Sequence, residues 1–354
     1  MPSLKRILIV EFSLGHFELI PSHLMLLNKN GYKVFYAGLE NSKKLIADMK
    51  SDFSDSVFIT KPKNLKQLWH IRNFISKNDI GQVLFNSASG RSVLILSILI
   101  GSKVHLCGVL HNIEKLIKSN TQKLISIWLR DYLTLSRFLN QKALALSSNK
   151  LKFEYFYPIY FGDKAMIPKE DSKLTIVIPG NIQKERRDYV SLIESLKTFP
   201  STLLVNFKIV LLGNANKYDG LEIKNLVEKH QLNYLFEFFD GFLSNQKFHQ
   251  AIVQSDFIMP LTHPSGFKTN RYDQYKISGA FNLAFGHKKP LLIHQALEKT
   301  KEFDGISHLY TLDNLVDLFK KILSLSASNV KDLYLKDERF NLSNQENRFF
   351  KIVQ

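Results

Sequence analysis

The stretch RILIVEFSLGHFELIPSHLMLLNKNGYKVFYA, residues 6–37, contains a complete strand, turn, helix and second strand. The apolar run Arg6–Glu11 predicts a buried strand, the helical spacing of apolar residues at 17–29 predicts an amphipathic helix, and residues 33–37 predict another strand. Two strands joined by a helix form a parallel pair with the helix on one face of the sheet. This unit places the chain in the α/β class.

The same alternation recurs along the chain. Further strands are predicted at residues 57–60, 82–85, 104–110, 143–147, 174–178, 207–212, 235–239, 257–260 and 290–294. Helical spacing lies between them, for example at residues 64–76 and 122–140. The pattern weakens at residues 150–172, which Pro158, Gly162 and Pro168 interrupt, and then restarts. A boundary between two domains is therefore expected in this region.

We predict two doubly wound, Rossmann-like domains, at residues 1–155 and 156–335. Residues 336–354 are predicted to form a C-terminal helix with the option of crossing back to the N-terminal domain. Open α/β sheets bind ligands beyond the carboxyl ends of their strands. Two such domains in tandem would direct both of these edges into one central cleft.

Composition narrows the class of protein further. With 354 residues, of which 45% are hydrophobic, the chain can bury two medium-sized cores. Its single cysteine, Cys107, excludes a disulfide framework and a cysteine-based zinc site. The most apolar segment, residues 92–100, is much shorter than the ~18 residues that a membrane span needs, and the N-terminal apolar run is too short for a signal peptide. These features predict a cytoplasmic protein.

The net charge of +16 is distributed unevenly. Residues 1–165 carry 23 Lys and Arg against 11 Asp and Glu, or +12, whereas residues 166–354 carry 25 against 21, or +4. A basic half is compatible with nucleic acid, an anionic membrane surface or a phosphorylated acceptor. A generally lysine-rich proteome would explain the total charge but not its asymmetry. Because the chain has no recognised nucleic-acid module, no nucleic-acid partner is predicted.

The turn after the first strand carries Gly15-His16 and has no G-x-G-x-x-G pattern, which disfavours a dinucleotide site. An imidazole at this turn can act as a general base or bind an acceptor hydroxyl. Together with Pro21, the pair resembles the Gly-His-x-x-Pro opening of GT-B glycosyltransferases, whose glycine loop and histidine face the acceptor. Pro21 lies five residues after His16, where that pattern has three. The alternative is a histidine that only caps a helix.

A second histidine, His111, follows the predicted strand at residues 104–110. A strand that ends in His-Asn is similar to glycosyltransferase family 4 and its relatives, in which the equivalent histidine contacts the donor sugar. That resemblance implies a catalytic role for His111. A purely structural histidine is the alternative.

The start of the second domain resembles the donor-binding loop of the same enzymes. Gly180 allows a close backbone approach, and one of Lys184, Arg186 and Arg187 would bind the donor diphosphate. The alternative is a solvated charge run at a helix start. By the same resemblance, Gly213 and Phe242 belong to the donor site, where the loop around Phe242 would bracket the nucleotide base.

The segment YKISGAFNLAF, residues 275–285, gives the clearest indication of a diphosphate site. Ser278-Gly279 is predicted to open a helix whose free N–H groups suit a diphosphate, and Lys276 adds positive charge. Retaining members of family 4 carry two acidic residues eight positions apart. Here the corresponding positions are Gln274 and Asn282, so the anomeric outcome stays open.

The resemblance implies a glycosyltransferase that moves a sugar from a nucleoside-diphosphate sugar to an acceptor hydroxyl. The expected acceptor is a saccharide or a lipid-linked molecule in surface polysaccharide or glycolipid assembly. An anionic membrane surface is a further expected partner. No cofactor and no metal are expected, because cationic side chains and a helix end would neutralise the diphosphate. The alternatives are a nucleotide-sugar 2-epimerase of the same fold and a non-catalytic GT-B subunit of a partner transferase.

Overall fold

The computed structural model describes residues 5–147, 150–159, 172–262, 274–325 and 337–354. They form two compact units. The N-terminal unit comprises the described residues up to 159, Tyr275–Ile277 and Leu342–Gln354, and the C-terminal unit comprises those from 172 to 274 and from Ser278 to Asn341. Each unit has one sheet with helices around it.

The N-terminal unit is built on a parallel sheet of seven strands. These are β1 (Arg6–Glu11), β2 (Lys33–Leu39), β3 (Asp55–Ile59), β4 (Gln82–Phe85), β5 (His105–Val109), β6 (Asp131–Thr134) and β7 (Lys152–Tyr155), in the order β3-β2-β1-β4-β5-β6-β7. The register of the first pair starts with Arg6 opposite Lys33. Because the strand order reverses between β1 and β4, the carboxyl ends of these two strands flank the switch point at which such sheets bind ligands.

Six helices of this unit connect the strands. They are α1 (Ile20–Lys29), α2 (Leu65–Lys77), α3 (Arg91–Ile100), α4 (Lys115–Lys118), α5 (Asn120–Trp128) and α6 (Arg137–Leu146). Polar caps fix several of their starts: Asn64 accepts from the Gln67 amide before α2, and Ser119 accepts from the Gln122 amide before α5. Pro21 stands in the first turn of α1, where its missing N–H costs nothing.

The predicted helix at residues 122–140 and strand at 143–147 were wrong. The chain instead forms α5, β6 and α6 in this region. Leu129, Tyr132 and Leu133 are buried, which makes a short core strand, whereas Leu144 is 51% exposed and only Ala143 of the predicted strand is buried. The Ser136 hydroxyl accepts from the Leu139 amide and starts α6.

The C-terminal unit has a second parallel sheet, of six strands. These are β8 (Leu174–Ile178), β9 (Phe207–Asn214), β10 (Phe236–Phe239), β11 (Phe257–Ile258), β12 (Leu291–His294) and β13 (Ser307–Tyr310), in the order β10-β9-β8-β11-β12-β13. Its described helices are α7 (Tyr189–Leu196), α8 (Ser201–Leu204), α9 (Gly220–Lys229), α10 (Asn245–Gln254), α11 (Gly279–His287) and α12 (Leu315–Leu323). The switch point lies between β8 and β11. The sequence analysis did not predict β13.

The last helix, α13 (Leu342–Val353), packs against β6 and β7 of the N-terminal unit. Phe349 and Val353 are fully buried there, and the Gln345 side chain accepts a hydrogen bond of 2.8 Å from the Tyr157 amide. Of the C-terminal helix predicted at residues 336–354, residue 336 lies outside the described residues. No helix among the residues that the structure describes is long and apolar enough to cross a membrane.

The short segment Tyr275–Ile277 also belongs to the N-terminal unit, although the sequence analysis assigned it to the domain at residues 156–335. Lys276 pairs with Asn112 in an antiparallel bridge, and the Ile113 amide donates to the Tyr275 carbonyl at 2.9 Å. Ile277 packs against the hydrophobic core of the unit. These contacts hold the segment against the residues that directly follow His111.

His23 on α1 makes the stability of the N-terminal unit dependent on pH. The ring is fully buried between Phe156 and Phe349, at centroid distances of 5.7 and 5.4 Å, and neither of its nitrogens has a hydrogen-bond partner among the described residues. Burial lowers the pKa of His23 to about 3. In the unfolded chain His23 is protonated below pH 6.5, whereas in the folded chain it stays neutral down to about pH 3.

We expect His23→Leu to reduce the loss of stability on acidification. Between pH 6.5 and 3, His23 should lower the free energy of unfolding by up to about 1.4 kcal/mol per pH unit, and the variant should lack this contribution. Urea titrations at a series of pH values measure the slope. The exposed His70→Leu variant serves as control, and equal slopes for both variants would contradict the prediction.

Candidate active site

Glu11 lies at the switch point of the N-terminal sheet, where β1 ends, and is fully buried. Its carboxylate accepts hydrogen bonds of 2.7 Å from the Asn86 side-chain amide, the Ser87 hydroxyl and the Ser13 backbone amide. Burial raises the pKa of Glu11, and these hydrogen bonds oppose the increase. The carboxylate thus ties together the loops after β1 and β4. The sequence analysis did not identify it.

The turn after β1 has an unusual backbone. His16 has φ of 64° and ψ of 20°, a left-handed conformation that costs a residue with a side chain about 1–2 kcal/mol. Its carbonyl accepts from the Asn86 side-chain amide at 3.0 Å, which stabilises the conformation. Gly15 is exposed, and a β-carbon built there would meet only Ser13 Oγ, at 3.8 Å. The His16 side chain is itself 38% exposed, so solvent reaches the imidazole.

The two histidines singled out in the sequence lie together. The rings of His16 and His111 stack with centroids 3.5 Å apart and planes at 21°. His111 Nε2 lies 2.7 Å from the Asn86 carbonyl, which can only accept, so Nε2 carries the proton and Nδ1 offers a lone pair in the neutral ring. Limited access to water and the charge of His16 lower the pKa of His111 to about 3. His111 is therefore neutral at physiological pH.

His16 has an acidic partner that the sequence analysis missed. Its Nδ1 lies 3.5 Å from Glu18 Oε1, two residues further along the turn. Burial disfavours the charged imidazole, but the Glu18 carboxylate outweighs burial, and the pKa of His16 is raised. Burial also opposes ionisation of Glu18, yet His16 lowers the pKa of this carboxyl to about 2. The pair is an imidazole oriented by a carboxylate, with Nε2 pointing to no hydrogen-bond partner among the described residues.

Lys115, at the start of α4, adds a positive charge near this pair. Its ammonium donates to Ser89 Oγ at 2.8 Å, and burial lowers its pKa. The positive charge of Lys115 opposes protonation of His16 and so acts to lower the pKa of that imidazole. The sequence offered no signal for this residue, because only the fold brings α4 to the turn after β1.

In the C-terminal unit, Arg187 braces the loop after β8. It is 9% exposed, and its guanidinium donates to the Pro179 carbonyl at 2.5 Å and the Asn181 carbonyl at 3.1 Å. Gly180 has φ of 94°, and a β-carbon there would lie 2.6 Å from Arg187 Nη2. Arg187 also bridges to Thr262, beyond β11. The geometry gives Arg187 a structural role at the switch point of this sheet.

The other two cations predicted for the diphosphate differ from each other. Lys184 Nζ lies 2.5 Å from Glu222 on α9, so its charge is paired. Arg186 is exposed, and its guanidinium donates to the Gln183 side chain at 3.3 Å. Of the three predicted cations, Arg186 is the one with neither a carboxylate nor a backbone carbonyl as its partner among the described residues.

Gly213 and Phe242 mark the ends of β9 and β10. A β-carbon on Gly213 would lie 2.6 Å from the Gly180 carbonyl and 2.9 Å from the Ile182 amide, so the residue allows two loop backbones to pack together. Phe242 is 80% exposed and lines a shallow cavity of about 390 Å³ beside α10. An exposed aromatic ring beside a cavity is suited to stacking on a flat ligand.

The predicted helix start at Ser278-Gly279 is confirmed. Ser278 caps α11, and its hydroxyl accepts from the Ala280 amide. Since α11 leads into β12, it begins at the carboxyl edge of the sheet, the edge that carries Gly180 and Gly213. Lys276 precedes this helix but lies in the N-terminal unit. Part of the loop before it, residues 263–273, lies outside the described residues.

No family model and no curated protein sequence matches the chain. Solved structures similar to it include Anabaena HepE in complex with UDP and glucose (12% identity, 98% of both chains, TM-score 0.69) and a glycosyltransferase from Rickettsia africae (14% identity, 99% of this chain and 98% of that one, TM-score 0.66). A putative UDP-N-acetylglucosamine 2-epimerase from Listeria monocytogenes is also similar (11% identity, 98% of this chain and 94% of that one, TM-score 0.66). The two parallel sheets and these similarities identify the fold as GT-B, as the sequence predicted.

Proposed function

We propose that the protein transfers a sugar from a nucleoside-diphosphate sugar to an acceptor hydroxyl. The observation that carries this proposal is the His16–Glu18 pair beside neutral His111, at the switch point of a Rossmann-like sheet. The GT-B fold and the similarity to HepE, which was solved with UDP and glucose, support it. A hydrolase or transferase of this kind needs a base for an oxygen nucleophile, and an imidazole held by a carboxylate supplies one.

In an inverting reaction, His16 takes the acceptor proton at Nε2 as the acceptor oxygen bonds to the anomeric carbon. The bond from that carbon to the diphosphate breaks, and the nucleoside diphosphate leaves with the electron pair. Glu18 stabilises the imidazolium that forms, since it lies at the opposite nitrogen. His111 accepts a hydrogen bond from a donor-sugar hydroxyl at Nδ1 and so orients the donor.

The donor diphosphate is assigned to the N-terminus of α11, at Ser278 and Gly279. The free amides and the dipole of this nine-residue helix favour an anion there. Lys276 and Arg186 would add charge-assisted hydrogen bonds, and Phe242 would stack on the base. Lys184 and Arg187 keep supporting roles, because the structure pairs them with Glu222 and with backbone carbonyls.

The second candidate is a nucleotide-sugar 2-epimerase, since epimerases are among the similar structures, including one from Neisseria meningitidis bound to UDP-GlcNAc. Elimination and re-addition need carboxylates, and the structure adds Glu11 and Glu18, which the sequence analysis had not counted. Glu11, however, already accepts three hydrogen bonds, and Glu18 faces His16. Because both carboxylates are already engaged, the arrangement supports sugar transfer better than epimerisation.

The test is a panel of UDP-, GDP-, ADP- and CMP-sugars. A donor at ~100 times its dissociation constant adds about 2.7 kcal/mol to the free energy of unfolding, which a thermal shift detects. The stabilising donor is then incubated with and without acceptors. An acceptor-dependent product supports transfer, conversion of the sugar without acceptor supports epimerisation, and binding without turnover supports a non-catalytic subunit.

Activity should survive removal of divalent metal ions. The amides of α11 and the nearby cations are expected to neutralise the leaving diphosphate without Mg²⁺. Initial rates in excess EDTA should stay within about twofold of the untreated rate. Abolition of activity by EDTA with recovery on adding Mn²⁺ would contradict this part of the proposal.

The acceptor is proposed to be a saccharide or a lipid-linked molecule in surface polysaccharide or glycolipid assembly, at the cytoplasmic face of an anionic membrane. The charge of +12 on residues 1–165 supports this placement. Anionic lipid attracts such a field over about one Debye length.

A further inference from the structure

The outer face of α5 exposes large apolar side chains to solvent. Leu124 is 50% exposed, Ile127 58% and Trp128 39%, and Ile98 on the neighbouring helix α3 is 50% exposed. The opposite side of α5, with Ile125 and Gln122, is buried in the unit. Contiguous exposed apolar residues on a soluble domain mark a surface for a partner or a membrane.

Three cations lie beside Ile127 of this apolar face. Lys123, Arg130 and Lys150 line one cavity of about 390 Å³, together with Ile127 and other apolar side chains of α4 to β7. None of the three forms an ion pair with a carboxylate in the part of the chain that the structure describes. Unpaired cations around an apolar floor are complementary to an anionic headgroup joined to an acyl chain.

We propose that Lys123, Leu124, Ile127, Trp128, Arg130 and Lys150, the α5 surface, dock the protein on an anionic lipid bilayer. The cations contact lipid phosphates, and the apolar side chains enter the headgroup region, where tryptophan is favoured. A second copy of the chain is a poorer occupant, because a symmetric contact would bring the three cations against three more. The inference deepens the membrane part of the proposed function, but its test measures binding only, so it can fail while sugar transfer stands.

The α5 surface is separate from the candidate active site. Arg130 directly precedes β6 and Lys150 lies just before β7, so both stand at the amino ends of strands. Glu11 is the last residue of β1, and His16 and His111 follow the carboxyl ends of β1 and β5. Substitutions on the α5 surface should therefore change membrane binding without changing chemistry on a water-soluble acceptor.

Intrinsic fluorescence gives a direct test, because the chain has two tryptophans, Trp69 and Trp128. In Trp69→Phe, Trp128 is the remaining tryptophan. Its emission maximum should shift to shorter wavelength when phosphatidylglycerol is added to phosphatidylcholine vesicles, and bromine-labelled lipid should quench its fluorescence. In Trp128→Phe, the remaining Trp69, on α2, should show neither change. A response of Trp69 alone, or of neither tryptophan, would overturn the proposal.

Co-sedimentation with the same vesicles tests the cations. The triple variant Lys123→Glu, Arg130→Glu, Lys150→Glu should bind at least ~10-fold more weakly. The charge-matched control Lys44→Glu, Lys50→Glu, Lys77→Glu changes exposed lysines on other elements of the N-terminal unit and should bind within about threefold of the parent protein. Equal loss in both variants, equal binding to pure phosphatidylcholine, or self-association through this face in sedimentation velocity would refute lipid docking at the α5 surface.

Discussion

His16→Asn should lower kcat for sugar transfer by about 10²–10⁴-fold, while the dissociation constant of the donor stays within about threefold. The variant loses the group that takes the acceptor proton. Asparagine tolerates the left-handed backbone that His16 adopts, so the turn after β1 should keep its shape. Steady-state kinetics with the donor and acceptor found in the panel, together with calorimetry of donor binding, measure both quantities.

The matched control is His70→Asn, which changes an exposed histidine on α2. Its kcat should equal that of the parent protein. If His16→Asn retains full activity, the base lies elsewhere or the reaction needs none. That result would remove His16 from the mechanism and leave the donor assignment intact.

The variant Glu18→Gln tests whether Glu18 acts on the protonation of His16 or only supports the structure of the turn. Glu18 raises the pKa of His16, so a neutral amide in its place should lower that pKa. His16 works as a base only when it is neutral, and the variant should stay neutral to a lower pH. The acidic limb of the pH profile of kcat should therefore move to lower pH, even as the maximal rate falls. A merely structural Glu18 would leave the position of this limb unchanged.

Local patterning accounts for most of what the sequence predicts correctly. The strands Arg6–Glu11, Gln82–Phe85 and Leu174–Ile178 have the predicted bounds, because each is a short, mostly apolar run of the length that a buried strand needs. The same logic identifies the cap at Ser278, since a serine before a helical pattern accepts from an amide two residues on. These are properties of neighbouring residues.

Properties that depend on the tertiary structure were not predictable in the same way. Arg187 belongs to a charge run that is expected to be solvated, but in the structure it is buried, because Gly180 leaves the space that its guanidinium fills. Glu18 lies near the start of the helix predicted at residues 17–29, and only the left-handed turn at His16 brings its carboxylate to the imidazole. Lys276 lies next to a helix of the C-terminal unit in sequence, yet Asn112 holds it in the other unit.

Gly279→Leu should weaken binding of the nucleoside diphosphate by at least ~10-fold, and Lys276→Ala by a similar factor. A leucine at the first position of α11 would cover the amides to which the diphosphate is assigned, and a helix start accepts leucine without loss of its hydrogen bonds. Lys276→Ala removes a charge-assisted contact worth about 1.5–3 kcal/mol but keeps the backbone bridge to Asn112. Both variants should therefore stay folded, which their thermal unfolding curves check.

Calorimetry with the nucleoside diphosphate of the most stabilising donor measures these losses. Lys229→Ala is the control, because this exposed lysine ends α9 and so stands at the far edge of the same sheet from the start of α11. Its affinity should match the parent value. If Gly279→Leu and Lys276→Ala also bind the nucleotide as the parent does, the N-terminus of α11 does not hold the diphosphate. The donor would then have to bind elsewhere along the carboxyl edge. There Arg186, after β8, is exposed and donates to the Gln183 side chain, whereas the charge of Lys184 is paired with Glu222.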